Sequence, residues 1–189
     1  VSITVPLRCN GAPRLAPGIL SAAMTSIHSI MLPVPGIEEL QAEARAEGYN
    51  FLDRLLDDWQ SGENRFDGPG EIFVGAFDKD VLVAVGGLNR DPFLDDPAVG
   101  RIRRVYVRAA WRNQGLGRAL VNALVEHARP NFRSVHLRAE NPSAARLYER
   151  MGFIPIDDPN ATHSLTPQPR HTGAGPCLVN AISAGTDTL

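Results

Sequence analysis

Six residues, Arg112-Asn113-Gln114-Gly115-Leu116-Gly117, have the types and spacing to hold an anion. They follow an apolar stretch, Val105-Tyr106-Val107, and precede a helical repeat, so they occupy a strand-to-helix turn. Backbone amides at such a turn point outward without partners and gather a phosphate. The glycines let that backbone approach the anion with no Cβ in the way. Two other phosphate loops fail on required residues. A dinucleotide fingerprint needs Gly, or sometimes Ala, where Leu120 stands. A Walker loop needs Lys and then Ser or Thr after its last glycine, where this chain has Arg118-Ala119.

The elements around this turn are legible in order. Ile37 to Glu47 is rich in helix formers and Gly48 stops it. Tyr49 or Asn50 opens a second helix with an apolar stripe of Phe51, Leu52, Leu55, Leu56 and Trp59. That pair packs on a core and is a candidate wall for a substrate site. Glu71 to Phe77 and Val81 to Leu88 form a hairpin across the turn Asp78-Lys79-Asp80. The second of these strands is apolar on both faces, so it belongs inside the sheet. Asn89 to Gly100 is a loop whose Asp91, Asp95 and Asp96 do not match the spacing of a calcium loop. In Arg101 to Arg108 the alternation slips at Arg103-Arg104, which predicts a bulge and a strand bent away from its neighbour. The backbone groups exposed by such a splay could pair with an extended ligand. A helix then carries Leu116, Leu120, Leu124 and Ala128 at intervals of four. Ser134 to Ala139 is a strand, Asn141-Pro142 starts a helix that Gly152 ends, Phe153 to Ile156 is a short strand, and Ala161 to Leu165 is a possible last one.

The strand Arg104 to Val107, the Arg-x-x-Gly-x-Gly turn and a second segment, Asn141-x-x-Ala144-x-x-x-Tyr148-x-x-x-Gly152-Phe153, together resemble the GNAT superfamily of acyl-CoA N-acyltransferases. The resemblance spans roughly Gly70 to Leu165, with Ile37 to Gln60 as a helical pair of the variable kind. It implies an α/β fold of the α+β type: the GNAT acyl-CoA N-acyltransferase fold, a mixed central sheet with a splayed pair of strands flanked by helices. The expected division is an extension over 1–35, poorly ordered, a GNAT domain over 36–165 and a tail over 166–189.

The same resemblance implies acetyl-CoA as cosubstrate and an amine acceptor, with no metal. The pyrophosphate would meet the amides of Gln114 to Ala119, with Arg112, Asn113 and Arg118 beside them. The pantetheine arm would lie along Val105, Tyr106 and Val107, and Asn141 and Ala144 would contact the cofactor. Tyr148 matches the family position that returns a proton to the thiolate. A phenol with a pKa of about 10 is a reasonable donor to that group. For the base, His136 is the first candidate, directly or through water, with Glu140, Glu71 and Asp91 as weaker ones. Arg103 and Arg104 stand where some relatives place a carboxylate.

Composition bounds the partners. A net charge of −2 gives no basic excess to advertise nucleic acid. Six arginines between Arg101 and Arg118 would suit a polyanion, but a phosphate-bearing cofactor explains some of them. No apolar run is long enough to cross a membrane. Cys9 and Cys177 make no disulfide framework, and a cytoplasmic setting is expected. The expected activity is N-acetylation of a primary amine, on a monomer or homodimer. The acidic loop at Asp91, Asp95 and Asp96 points toward a cationic small molecule. The alternative is a CoA-binding regulatory or interaction module without turnover.

Overall fold

The structure, a computed structural model, describes residues 25–168. One seven-stranded sheet runs through it, built from β1 (Thr25–Ser29), β2 (Ile72–Asp78), β3 (Val81–Arg90), β4 (Val99–Val107), β5 (Ser134–Leu137), β6 (Ile154–Pro155) and β7 (His163–Leu165). The spatial order is β1-β2-β3-β4-β5-β7-β6, antiparallel except for the β4–β5 pair. Helices α1 (Ile37–Ala46) and α2 (Phe51–Ser61) join β1 to β2, α3 (Leu116–Ala128) joins β4 to β5, and α4 (Pro142–Arg150) joins β5 to β6.

The period-2 pattern of β2 explains the three layers. Val74 and Ala76 pack with Leu120, Val121 and Leu124 of α3, whereas Phe73 packs with Leu40, Leu52 and Leu55 of α1 and α2. β3 lies between β2 and β4 and is buried from Leu82 to Asn89, as a strand apolar on both faces requires. Each core stripe buries apolar side chains at about 25 cal/mol per Å² removed from water.

The first strand was not foreseen. Residues 25–29 fall inside the stretch expected to be a poorly ordered extension, yet they pair with β2 from Thr25↔Asp78 to Ser29↔Val74. Ile30 and Leu32 follow into the α1–α2 core. With only five residues and an exposed, polar outer face, an edge strand of this kind has little hydrophobic pattern to betray it. Cys9, Cys177, most of the expected extension and most of the tail lie outside the described residues. Several boundaries are shorter than the sequence suggests: β5 ends at Leu137, β6 is two residues and β7 begins at His163. Among the described residues no helix is long and apolar enough to cross a membrane.

β4 carries the bulge that its sequence predicts. Tyr106 faces Val85 and Arg103 faces Gly87, so Arg104 and Val105 together oppose Gly86. Arg104 takes φ 60°, a left-handed value that costs a non-glycine residue about 1–2 kcal/mol. Its buried guanidinium is tied to Asp58 of α2 at 2.8 Å, which helps hold the distorted turn in place. β4 pairs with β5 only as far as Ile102↔Leu137, and from Arg103 onward the two strands part.

One glycine on β3 sets how closely the layers meet. A Cβ on Gly87 would sit 2.3 Å from Cε1 of Phe66, whose ring is buried and stacks near Phe73 with centroids 5.2 Å apart. Phe66 is pinned by its amide donating to Asn64 Oδ1 at 3.1 Å. Gly87→Ala should therefore destabilise the fold by about 1–3 kcal/mol through overpacking. In a chain this size each 1 kcal/mol lowers the melting temperature by roughly 2–4 °C, and an unchanged midpoint would refute the assignment.

Candidate functional site

The parting of β4 from β5 opens a cavity of about 1160 Å³. α2 and the residues before it wall one side through Tyr49, Phe51 and Arg54. α4 and the loop before it wall the other, and the α3 N-terminus closes one end. The helical pair is thus both core and cavity wall, since Leu52 and Leu55 point inward while Phe51 and Arg54 reach the opening.

The turn leading into α3 has the form that its glycines suggested. Asn113 has φ 61° and Gly115 φ 83°, and no side chain caps the helix. The first helical amides, of Leu116, Gly117 and Arg118, precede any intrahelical acceptor. They combine with the positive end of the helix to make an anion cradle. The amide of Ala119 is different: it donates to the Gly115 carbonyl at 3.0 Å. Ala119, Gln114 and Leu116 also do not line the cavity, while Asn113, Gly115, Gly117 and Arg118 do. Gln114 instead caps the preceding 3-10 turn, its Nε2 donating to the Ala110 carbonyl.

Arg112 is not free to meet an anion as a bare charge. Its guanidinium reaches Glu47, the C-cap of α1, at 2.6 Å, donates through Nε to the Val107 carbonyl at 2.8 Å, and lies over the Tyr106 ring. The Glu47 carboxylate, first, and Tyr106 and Glu43 hold its charge more firmly than usual. One turn earlier on α1, Glu43 accepts from Arg108 Nε at 2.9 Å and from the Ala109 amide at 2.6 Å. Burial pushes the Glu43 carboxyl up, but these donors and the Arg112 charge outweigh it and hold it below the usual range. α1 therefore clamps the segment that carries the turn. These acids were not singled out in the sequence, because each lies 65 or 66 residues from its partner.

Val105, Tyr106 and Val107 line the cavity along the unpaired side of β4. Asn141, Ala144 and Tyr148 line the opposite wall. Asn141 does two things at once: Oδ1 accepts from the Ala144 amide at 2.9 Å as the cap of α4, and Nδ2 reaches Tyr49 Oη at 3.4 Å across the opening. Tyr148 is buried against Phe153 and His163, with an edge on the cavity. Burial, with a contribution from the Glu140 carboxylate, pushes its phenol up to about 12.

His136 does not join this wall. It is part-buried, with Nδ1 3.3 Å from Asp91 Oδ2, and Arg101 meets the same oxygen. Nor do the three aspartates of the acidic loop line the cavity, although Phe93 between them does. Asp91 is fully buried under Arg101 and His136, Asp95 pairs with Arg90, and Asp96 pairs with Arg133. The expectation of a cationic acceptor drawn by these three carboxylates finds no support in the cavity, since none of them lines it.

The charged groups that line the cavity are mostly positive. Nine arginines contribute to its surface, with Glu140 the one carboxylate among the described lining residues. Arg101, Arg104 and Arg112 are neutralised by Asp91, Asp58 and Glu47. Arg103 is half-buried at the fork of β4 and β5 with no carboxylate partner among the described residues. Burial first, then the Arg104 and Arg101 charges, together lower its pKa to about 10. Sequence spacing had flagged Arg103 and Arg104 but not Arg54, Arg138, Arg146 or Arg150, which reach the cavity from other elements.

The comparisons with known proteins agree with this architecture. An acetyltransferase from Kribbella flavida described as GCN5-related superposes with a TM-score of 0.61 at 20% identity, covering 76% of this chain and 97% of that one. A protein from Exiguobacterium sp. 255-15 assigned as an acetyltransferase gives 0.68 at 24% identity, covering 75% and 93%. The ribosomal-protein-S18-alanine N-acetyltransferase of Escherichia coli gives 0.57 at 17%, covering 79% and 98%. At these identities the likeness is one of fold. No match was found among curated proteins. The model of the acetyltransferase (GNAT) family matches residues 34–153, which include β2 to β5, the glycine turn and α4. On that match the chain belongs to the GNAT acetyltransferase family.

Proposed function

We propose that the protein is an N-acetyltransferase that moves the acetyl group of acetyl-CoA onto a primary amine of a small molecule, by direct attack in a ternary complex. The observation that carries this is the junction of an uncapped helix start with a strand edge left open by the β4–β5 splay, with Tyr148 on the facing wall. Acetyl-CoA supplies the acyl group as an activated thioester. The residues present suit it. The Leu116 to Arg118 amides and the Arg118 cation would hold the pyrophosphate, and the β4 edge would pair with the pantetheine amides.

The chemistry balances within this frame. A bond forms between the amine nitrogen and the acetyl carbon, and the carbon–sulfur bond breaks. The amine gives up one proton, and the sulfur takes one. Tyr148 gives the proton to the sulfur. Its own proton is then restored from solvent. The ammonium proton leaves through water in the open cavity, with Glu140 as the carboxylate on the wall. Nearby guanidiniums assist by disfavouring the charged ammonium.

Incubation with acetyl-CoA and a broad amine panel, followed by thiol release and product mass, tests the reading. Absence of CoA binding at millimolar concentration would sink it. A CoA-binding module without turnover is the second reading, favoured by the arginines at the fork and by His136 lying off the wall; tight CoA binding with no product from any amine would select it.

The pH profile gives a separate check. A phenol at about 12 keeps its proton throughout the working range. Activity should therefore rise as the acceptor amine deprotonates and then stay level to about pH 10, because the donor is lost only above its own pKa. A fall beginning near pH 8 would show that another group donates.

A further inference from the structure

Two features of the cavity are unexplained by acetyl transfer itself. The first is the charge at the fork. Arg54, Arg101, Arg103 and Arg104 lie within electrostatic reach of one another, and only Asp58 and Asp91 answer them. The second is that the two guanidiniums neutralised at the fork, Arg101 and Arg104, are the more buried ones. Arg103, half-buried, and Arg54, exposed, are left without a carboxylate among the described residues and both face the cavity. Among the described residues Arg54 makes a neutral hydrogen bond, to Asn50 Oδ1 at 3.0 Å.

A half-buried guanidinium with no counter-charge is costly to keep, and a nearby like charge makes it worse. Such a cost is recovered when an anion docks, most effectively a carboxylate or phosphate that can take two parallel hydrogen bonds. The anion cradle at the α3 N-terminus has its own cation in Arg118, so the cofactor does not need this second cluster. The fork lies where β4 leaves β5, beneath Tyr49 and Phe51 of the opposite wall. A polyamine arriving there would meet uncompensated positive charge.

We propose that the acceptor is an amine that also carries a carboxylate or phosphate, and that Arg103 and Arg54 bind that group and so determine specificity. This rests on the acetyltransferase reading above. The anion fixes the acceptor's orientation and offsets the local charge. The guanidiniums in turn favour the neutral, nucleophilic form of its amine.

Matched pairs of small amines test it at saturating acetyl-CoA with the full chain. Suitable pairs are phosphoethanolamine against ethanolamine and β-alanine against its amide, with spermidine as the cationic probe. The charged member of at least one pair should have the higher kcat/KM by about 10–100-fold, the range expected for one or two charge-assisted hydrogen bonds. Arg103→Met should collapse that ratio toward one through KM, leave the KM for acetyl-CoA unchanged, and be partly rescued by Arg103→Lys. Arg54 is exposed, so Arg54→Met will fold and should give a smaller loss of the same kind. A preference for spermidine, or discrimination that survives both substitutions, would overturn the proposal. If no amine is acetylated, calorimetry with inorganic phosphate and with glutarate on the CoA-saturated protein separates the two ideas. Binding that is lost in Arg103→Met keeps the anion site while the transferase reading fails; no binding of either anion overturns the site as well.

Discussion

Replacing Tyr148 with Phe should lower kcat by about 10²–10⁴-fold, the contribution expected of a positioned general acid. The KM for acetyl-CoA and the affinity for CoA should change by less than about threefold. The substitution removes one oxygen and leaves the ring, so packing against Phe153 and His163 is kept. No hydrogen bond of the hydroxyl is lost within the described protein, so the fold should not suffer. A phenol in this setting is a weak acid by design of its surroundings: burial and the Glu140 carboxylate both oppose the phenolate. That keeps the proton on the phenol until negative charge develops on the sulfur as the carbon–sulfur bond breaks. Single-turnover measurements with a reactive amine would read the step directly. A variant with wild-type kcat would show that solvent protonates the sulfur and that Tyr148 is a core residue with one edge on a cavity.

The parts of this molecule that were legible in advance share a physical property: their signal is local. The glycine turn, the α3 repeat and the Asn141-Pro142 start each express a rule about residues within a few positions of one another. The bulge belongs to the same group, because a slip in a period of two is visible at Arg103-Arg104 itself. What was not legible depends on partners far away in sequence. Whether Arg112 is a free cation is decided by Glu47, and whether Arg104 is free is decided by Asp58. The same holds for the acidic loop: Asp91 reads as an exposed charge until Arg101 and His136 are folded onto it. Counting arginines along the chain could not separate those that hold the fold from the two at the fork that no carboxylate among the described residues pairs with. β1 was missed for another reason, since a short polar edge strand is held by the backbone of β2 and needs no apolar pattern of its own.

That distinction between local and long-range determinants shapes the second large effect, expected at Gly117. A Cβ there would meet Val107 Cγ2 at 3.7 Å and Leu147 Cδ2 at 3.8 Å, ordinary contacts, so the position has room for a small side chain. It is the second residue of α3, where an aspartate is favoured by the helix dipole by about 0.3–1 kcal/mol. Gly117→Asp should therefore leave the folded state as stable as before, or slightly more so. Binding should behave in the opposite way. The new carboxylate would lie beside the amides assigned to the pyrophosphate. At about 5 Å and an effective dielectric constant near 20, two like charges repel by about 3 kcal/mol. Even after screening, the Kd for acetyl-CoA should rise at least about 100-fold, and added salt should recover part of the loss. Gly117→Asn supplies the control, since it has nearly the same shape without the charge and should weaken binding far less. A thermal melt and a titration with acetyl-CoA on the two variants decide the matter. If Asp and Asn weaken binding equally, the α3 start excludes by shape and is not the seat of the negative group. If neither changes the Kd by more than about threefold, the cofactor lies elsewhere and the glycine turn serves only to bring α3 close to β4.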